Sequence, residues 1–205
     1  MVHFKVYADT PHSRSINKAV ETLRDGRLVI YPTDTVYGIG GSLFQKHAIE
    51  KIYRIKGKTK YEPLSIICES IQQASRFAKI SNFAFRIMKR CLPGPYTFIL
   101  DATREIPKLM LSRRKEVGIR IPDSAVVQAI VHNLGHPLVN SSITLQEDEL
   151  LNDPEEIARR FEHVVDVFLD AGPLPDPRDS TVVRITDQEI DVLREGKGDL
   201  DCLFY

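Results

Sequence analysis

Short apolar runs alternate with helical patterns along most of this 205-residue chain. The runs Leu28–Tyr31 and Leu64–Cys68 have the length of buried strands, and a helical pattern that ends at Gly26 precedes the first of them. Strands that alternate with helices favour an α/β sheet covered by helices. Near the C-terminus, Thr181–Ile185 and Asp191–Arg194 predict an antiparallel hairpin, so we expect a mixed rather than a purely parallel sheet.

The sequence also predicts how several helices begin. Ser13 or Ser15 can cap the first helix, and Ser124 can cap a later one. The segment Asp153-Pro154-Glu155-Glu156 is a strong helix start, because it places an N-cap residue, a proline and a glutamate at favoured positions. Further strands are predicted at Tyr96–Leu100, Val117–Ile121, Pro137–Asn140 and Val164–Leu169.

Composition and charge exclude several classes of protein. Lys and Arg together number 28, as do Asp and Glu, so no overall charge drives binding to nucleic acid or membrane. Charge is segregated locally, with a basic stretch from Lys46 to Lys60 and an acidic one from Glu147 to Glu156. The chain does not begin with a signal peptide and no apolar run approaches a membrane span, so we expect a cytoplasmic protein without a membrane partner.

The cysteines and histidines form no metal-binding or disulfide pattern. Cys68, Cys91 and Cys202 are far apart in the sequence and are expected to be reduced thiols. The six histidines lack metal-ligand spacing, and no signature of a covalent nucleophile is present. We therefore assign no metal ligand and no covalent or acid/base residue, and expect chemistry by positioning and charge stabilisation, as in nucleotidyl transfer.

The strongest candidate for a site is the polar turn, Tyr31-Pro32-Thr33-Asp34-Thr35-Val36-Tyr37-Gly38-Ile39-Gly40-Gly41. Its hydroxyls and its carboxylate suit a small polar ligand, and a strand that ends in such a turn usually builds a site. The glycines are expected to let the backbone approach a ligand or adopt positive φ. The alternative is a well-bonded connection between a strand and a helix.

Further segments carry side chains that suit a ligand. The lysines of Lys56-Gly57-Lys58-Thr59-Lys60 can bind a polyphosphate or form a solvated basic face, although the spacing is not that of a P-loop. Arg120 lies between two isoleucines, so it either forms an internal ion pair or binds a ligand carboxylate. Ser141-Ser142-Ile143-Thr144 can hold a nucleotide or cap a turn. Ser180 and Arg194, which flank the final hairpin, are weak signals alone.

Taken together, six segments resemble the YrdC/YciO family of threonylcarbamoyl-adenylate synthases and their relatives. They occur in the family's order and span nearly the whole chain. The matching segments are Tyr31–Gly41 (YPTDTVYGIGG), Ile52–Ile67 (IYRIKGKTKYEPLSII), Pro93–Leu100 (PGPYTFIL), Val117–Asp123 (VGIRIPD), Asp179–Thr186 (DSTVVRIT) and Leu193–Gly198 (LREGKG).

The resemblance implies a fold and a domain organisation. The expected fold is a YrdC-like twisted mixed α/β sheet with flanking helices and a concave, positively charged face. It is expected to form a single domain over residues 1–205. Longer members of the family carry an extra C-terminal domain, and none is expected in this chain.

The resemblance also implies an activity, in which threonine, bicarbonate and ATP yield threonylcarbamoyl-adenylate and pyrophosphate for threonylcarbamoyladenosine formation on tRNA. ATP with Mg²⁺ would be a substrate complex, and no tightly bound cofactor is expected. The residues implied on the threonine side are Thr33, Thr35, Arg120 and Ser180. Those implied on the nucleotide and phosphate side are Lys56, Lys58, Ser142, Thr144 and Arg194.

This chain departs from the synthases at two places. Lys58 replaces the arginine of the family's Lys-x-Arg phosphate motif, so a bidentate fork is lost. Thr144 and Gln146 replace the asparagine and the second serine of Ser-x-Asn-x-Ser, a pattern that resembles the YciO branch. Two alternatives therefore stay open. One is a protein of the same fold that binds tRNA or double-stranded RNA without synthase activity, and the other is a hydrolase acting on the threonylcarbamoyl group.

Overall fold

Ten strands form one mixed sheet in a computed structural model that describes residues 1–57, 64–111, 114–143 and 151–204. The strands are β1 (Val2–Lys5), β2 (Val29–Tyr31), β3 (Gly38–Ser42), β4 (Ser65–Ile67), β5 (Tyr96–Asp101), β6 (Glu116–Arg120), β7 (Leu138–Ser142), β8 (Val167–Asp170), β9 (Thr181–Ile185) and β10 (Ile190–Arg194). Their order across the sheet is β1-β8-β2-β3-β7-β4-β6-β5-β9-β10. Strands β1 and β2 run parallel to β8, β4 to β6 and β5 to β9, whereas the other neighbours are antiparallel.

Helices flank both faces of this large twisted sheet, which confirms the predicted fold class. They are α1 (Ser13–Arg24), α2 (Lys46–Ile55), α3 (Ile71–Ala74), α4 (Asn82–Cys91), α5 (Ala125–Leu134), α6 (Pro154–Phe161) and α7 (Asp201–Phe204), with a 3₁₀ turn at Lys108–Met110. The predicted apolar face of α1 is buried and packs with α5 against one face of the sheet. Helices α2 and α4 pack against the other face. Every helix within the described ranges is too short or too polar to cross a membrane.

The alternation of side chains along the strands separates the core from a polar sheet face. Ile119 of β6 belongs to the core on the side of α2 and α4, whereas its neighbours Gly118 and Arg120 lie on the opposite face. Ser65 of β4 and Thr97 of β5 share that face and, with Gly118 and Arg120, border a cavity. The polar face therefore lies where β4, β5 and β6 meet.

Two strands, β1 and β3, are absent from the prediction. Strand β3 (Gly38–Ser42) pairs with β2 and takes up the end of the polar turn, so Tyr31–Gly41 is a hairpin rather than one turn. Three of its five residues are glycines, which give no alternation of apolar and polar side chains to recognise. Strand β1 is short and mostly exposed; its sequence VHFK does alternate apolar and polar residues, and the prediction missed this pattern.

The glycines of β3 serve a different purpose from the one predicted. Neither Gly38 nor Gly40 has positive φ. A Cβ on Gly40 would lie 2.5 Å from the Tyr31 hydroxyl, and a Cβ on Gly38 would lie 2.8 Å from the Tyr31 ring. Real Cβ atoms essentially never approach that closely. Gly38 and Gly40 therefore make room for the buried Tyr31 side chain.

The predicted helix caps have mixed outcomes. Asp153 caps α6, where its carboxylate accepts from the Glu155 amide at 3.0 Å, as predicted. The prediction for α1 is wrong, because His12 occupies the N-cap and Ser15 Oγ donates instead to the His12 carbonyl. Ser124 lies at the N-cap of α5, but its hydroxyl donates to the Pro32 carbonyl at 3.0 Å. That bond ties the loop before α5 to the polar turn.

Cys91 and Cys202 are neighbours despite their distance in the sequence, since the Cys91 thiol lies 3.4 Å from the Cys202 carbonyl. Cys202 is partly exposed, whereas burial raises the pKa of Cys68 and, aided by Cys202, raises the pKa of Cys91 to about 12. We expect iodoacetamide at about pH 8 to modify Cys202 first and the other two only after denaturation. Peptide mass spectrometry of native and denatured samples checks this. Equal native labelling of Cys68 and Cys202 would contradict it.

Candidate functional site

A cavity of about 190 Å³ opens on the polar sheet face and brings together residues that are far apart in the sequence. The predicted site residues that line it are Arg120, Ser141, Ser142, Ser180 and Arg194. Polar residues that line it without having been predicted are Ser65, Thr97, Asn140 and Asp179. Since ligand pockets usually measure about 300–1,000 Å³, this volume suits an amino acid better than a whole nucleotide.

Arg120 is the most deeply buried charge of the cavity wall, with 4% of its surface exposed. Its Nη2 donates to Thr35 Oγ1 at 2.9 Å and lies 3.4 Å from Asp34 Oδ1. Its Nε is buried and has no acceptor among the described residues. The predicted internal ion pair forms, and it leaves one buried donor of Arg120 without an acceptor among the described residues.

The threonines of the polar turn reach the cavity only through Arg120. Thr33 Oγ1 donates to the Val36 carbonyl at 2.6 Å, so its single proton is committed there. Thr35 must therefore donate across the 3.0 Å contact between the two hydroxyls, and Thr35 Oγ1 offers a lone pair to Arg120. The polar turn is a well-bonded connection that also fixes the guanidinium.

Asp34 is the partner that the sequence did not reveal. Its Oδ2 accepts from the Asp123 amide at 3.0 Å, while Oδ1 faces Arg120. Burial raises the pKa of Asp34, and Arg120 and the Asp123 amide oppose this only in part. Burial likewise lowers the pKa of the Arg120 guanidinium against the influence of Asp34. Desolvation is the largest influence on both groups, as is common for buried ion pairs. Two signals for this pair were present in the sequence, a carboxylate in the polar turn and an arginine in an apolar strand.

Ser180 also lines the cavity and is held by two neighbours. Its hydroxyl is 2.8 Å from Thr97 Oγ1. Arg194 donates from Nε and Nη2 to the Ser180 carbonyl at 3.1 and 3.0 Å, and its Nη1 lies 3.3 Å from Asp179 Oδ2. Arg194 thus fixes the chain before β9 while its side chain remains about half exposed, at 46%.

The predicted phosphate side is only partly described. Lys56, at the end of α2, donates from Nζ to the Ser142 carbonyl at 3.0 Å, which places a cation beside the end of β7. Lys58, Thr144 and Gln146 lie outside the described residues. Leu64 and Ser142, which the structure describes, line the cavity.

A buried hydrogen-bonded chain supports the floor of the cavity. The Tyr31 hydroxyl donates to Asn140 Oδ1 at 2.9 Å, and Asn140 Nδ2 donates to Ser65 Oγ at 3.1 Å. Burial raises the pKa of Tyr31, so the phenol remains a neutral donor. Among the described residues, no group of three or more His, Cys, Asp or Glu side chains is placed to hold a metal ion.

The polar face of this mixed α/β sheet carries a buried arginine beside hydroxyl groups and further cations. Such a combination is typical of a site for a small ligand. Residues 21–196 match the family described as "Telomere recombination", which comprises Sua5, YciO and YrdC proteins. YciO of Escherichia coli, described as uncharacterized, is 38% identical over 199 residues, which is 96% of each chain. The crystal structure of E. coli YciO covers 100% of both chains at a TM-score of 0.93. The chain therefore belongs to the Sua5/YciO/YrdC family, as the sequence predicts.

The chain is also related to threonylcarbamoyl-AMP synthases. A protein of Methanocaldococcus jannaschii described as a putative threonylcarbamoyl-AMP synthase is 31% identical over 198 residues, 94% of this chain and 91% of that one. The structure of Pyrococcus abyssi Sua5 complexed with L-threonine matches at a TM-score of 0.88 and 26% identity. That match covers 96% of this chain and 58% of Sua5.

Proposed function

We propose that this protein binds L-threonine through Arg120 and forms threonylcarbamoyl-adenylate from threonine, bicarbonate and ATP, for the modification of tRNA. The observation that carries the proposal is the buried Nε of Arg120, which has no acceptor among the described residues, in a side chain whose residue lines a cavity of about 190 Å³. A buried donor without an acceptor is unfavourable by about 1–3 kcal/mol, and a carboxylate is the acceptor that a guanidinium matches best. The relationship to synthases, and to a Sua5 crystallised with L-threonine, supports this choice.

Hydroxyl groups surround the rest of the threonine side. Ser180 and Thr97 present a pair of hydroxyls in the cavity that Arg120 also lines, which suits the hydroxyl and amine of the amino acid. Thr33 and Thr35 contribute indirectly, because the hydrogen bonds from Thr35 to Thr33 and from Arg120 to Thr35 hold Nη2 of Arg120 in place. Together these groups would orient the bound threonine.

ATP would lie outside the small cavity, beyond Ser142. The amine of threonine adds to bicarbonate to give a carbamate and water. A carbamate oxygen then attacks the α-phosphorus, the bond to the β-phosphate breaks, and pyrophosphate leaves with the electron pair. Lys56, Lys58 and Arg194 would stabilise the charge on the phosphates, with Mg²⁺ arriving as part of the ATP substrate. Ser142 and Thr144 would contact the nucleotide.

We expect purified protein to release pyrophosphate from ATP, Mg²⁺ and bicarbonate only when L-threonine is present. Ser180→Ala should lower the threonine-dependent rate about 2–10-fold, since one hydrogen bond contributes roughly 0.5–1.5 kcal/mol. Asp176→Asn is the matched control, because Asp176 pairs with Arg178 in an exposed contact outside the cavity. A coupled pyrophosphate assay measures both rates.

An authentic synthase of the family, assayed in parallel, shows that the conditions support the reaction. No release above the blank without threonine, with the synthase active, would overturn synthase activity for this chain. If threonine still binds in that case, the alternatives are separated by two measurements. Loss of threonylcarbamoyl groups from modified tRNA supports a hydrolase, and salt-dependent affinity for RNA supports a binding protein.

A further inference from the structure

We propose that Asp34 is the counter-ion of Arg120 in the unliganded protein and takes up a proton when a ligand carboxylate binds that arginine. The inference rests on the proposed function, since it concerns the carboxylate that Arg120 would hold. It gives Asp34 the role of a positioning carboxylate, which loses its negative charge by protonation when the negatively charged carboxylate of the ligand binds.

The geometry of the pair shows that Asp34 offsets the positive charge of the Arg120 guanidinium without using all of its buried hydrogen-bond donors. A well-formed Arg–carboxylate pair is bidentate, with contacts of about 2.7–2.9 Å. Here a single contact of 3.4 Å joins Asp34 Oδ1 to Arg120 Nη2, and Nε has no acceptor among the described residues. The second oxygen of Asp34 is committed to the Asp123 amide at 3.0 Å. The arginine therefore has capacity for another carboxylate.

The burial of both groups makes a second negative charge unfavourable. The side chains of Arg120 and Asp34 are 5% and 11% exposed. One carboxylate and one guanidinium leave this buried place neutral, whereas a ligand carboxylate adds an unbalanced negative charge. Two carboxylates that share one site cannot both ionise readily, and the pKa of one of them rises.

Asp34 is the carboxylate that becomes protonated. Burial already raises its pKa in the unliganded protein, whereas an α-carboxyl group is intrinsically the stronger acid, with a pKa of about 3.3–3.7. The charged groups facing Asp34 are Arg120 from β6 and Asp123 from the loop after it, and the Asp123 carboxylate opposes ionisation. Tyr31, Asp179 and Arg194 act on Arg120, the first two favouring its charge and Arg194 opposing it.

Isothermal titration calorimetry at about pH 6.5, in buffers of different ionisation enthalpy, tests the exchange. L-Threonine is one probe, and 3-hydroxybutyrate is the second because it keeps the carboxylate and the hydroxyl but has no amine that could release a proton. We expect net proton uptake with 3-hydroxybutyrate and an affinity that rises up to tenfold for each unit by which the pH falls. Asp34→Asn should abolish the uptake for both probes. Asp123→Asn should keep it, since the backbone amide and not the carboxylate of Asp123 contacts Asp34.

The outcomes separate this inference from the proposed function. Binding of 3-hydroxybutyrate without proton uptake in the unmodified protein overturns the exchange and leaves recognition of the carboxylate by Arg120 intact. Uptake that persists in Asp34→Asn also overturns it. Absence of binding by both probes overturns the proposed function, and this inference with it. Because the pH dependence is measured on the unmodified protein, the test stands even if Asp34→Asn fails to fold.

Discussion

Replacing Arg120 with methionine is expected to weaken the binding of L-threonine by roughly 10²-fold or more. Truncating one partner of a buried, hydrogen-bonded charge pair is unfavourable by about 2–5 kcal/mol, and each 1.4 kcal/mol corresponds to about tenfold in affinity. Methionine keeps much of the buried volume but has no donor for a carboxylate. Calorimetric titration of threonine into the two proteins measures the difference. Threonine affinity within about threefold of the unmodified protein would place the carboxylate elsewhere.

Arg120→Lys is the variant that separates charge from geometry. A lysine keeps one positive charge but cannot offer the planar fork of the guanidinium. We expect it to recover only part of the lost affinity, because Nη2 is already used by Thr35 and a second donor is needed for the ligand. Full recovery with lysine would indicate that charge alone holds the ligand.

The stability of Arg120→Met is expected to depend on pH. Removing the guanidinium leaves Asp34 buried without its counter-ion, so its pKa, already raised by burial, rises further. When the pKa of a carboxyl group is higher in the folded than in the unfolded state, its contribution to stability is fully present below the unfolded pKa of about 3.9. That contribution is lost as the pH rises through the pKa of the folded state. The deficit relative to the unmodified protein should therefore grow from acid toward neutral pH.

Denaturant titrations across that pH range check this expectation. Breaking a buried pair by removing one partner destabilises by about 3–5 kcal/mol, which sets the scale at neutral pH. Arg120→Met combined with Asp34→Asn should regain stability at neutral pH and still fail to bind threonine. A deficit that does not change with pH would show that Asp34 is not the group left uncompensated.

Periodicity predicted most elements of the fold, and it failed at the glycine-rich strand β3. The helix α1 and the strand β6 bury an apolar face, which a pattern of residues reveals. Strand β3 is mostly glycine, so its place in the centre of the sheet depends on the ring of Tyr31 across the hairpin, a contact that spacing does not encode. The cap of α1 failed because Ser15 bonds backward to His12 instead of forward.

The candidate site was predicted through single residues, and the structure adds the contacts among them. Arg120 stood out because a charge in an apolar strand requires a partner, but the sequence offered several carboxylates and no means to choose Asp34. Asn140 and Thr97 gave no signal, since each is an ordinary polar residue in a strand. They matter because the strand order brings β4, β5, β6, β7 and β9 to one cavity, which only long-range pairing determines.

Gly40→Ala is expected to destabilise the protein by about 1–3 kcal/mol, the range for overpacking of a buried site. The added Cβ would meet the Tyr31 hydroxyl at 2.5 Å and the ring carbon Cε1 at 2.8 Å. Tyr31 cannot yield easily, because its side chain is fully buried and its hydroxyl is bonded to Asn140. Denaturant unfolding of the variant measures the loss.

A double-mutant cycle identifies Tyr31 as the cause. Tyr31→Phe alone removes the donor to Asn140 and should cost about 1–3 kcal/mol, because a buried acceptor is left unpaired. In the Gly40→Ala background the same change also removes the atom at 2.5 Å, so it should cost less, with a coupling of about 0.5–3 kcal/mol. Additive effects would contradict the account. If the coupling is found, the glycine of the polar turn acts on the site indirectly, by keeping Tyr31 beneath Asn140 and Asn140 beside Ser65.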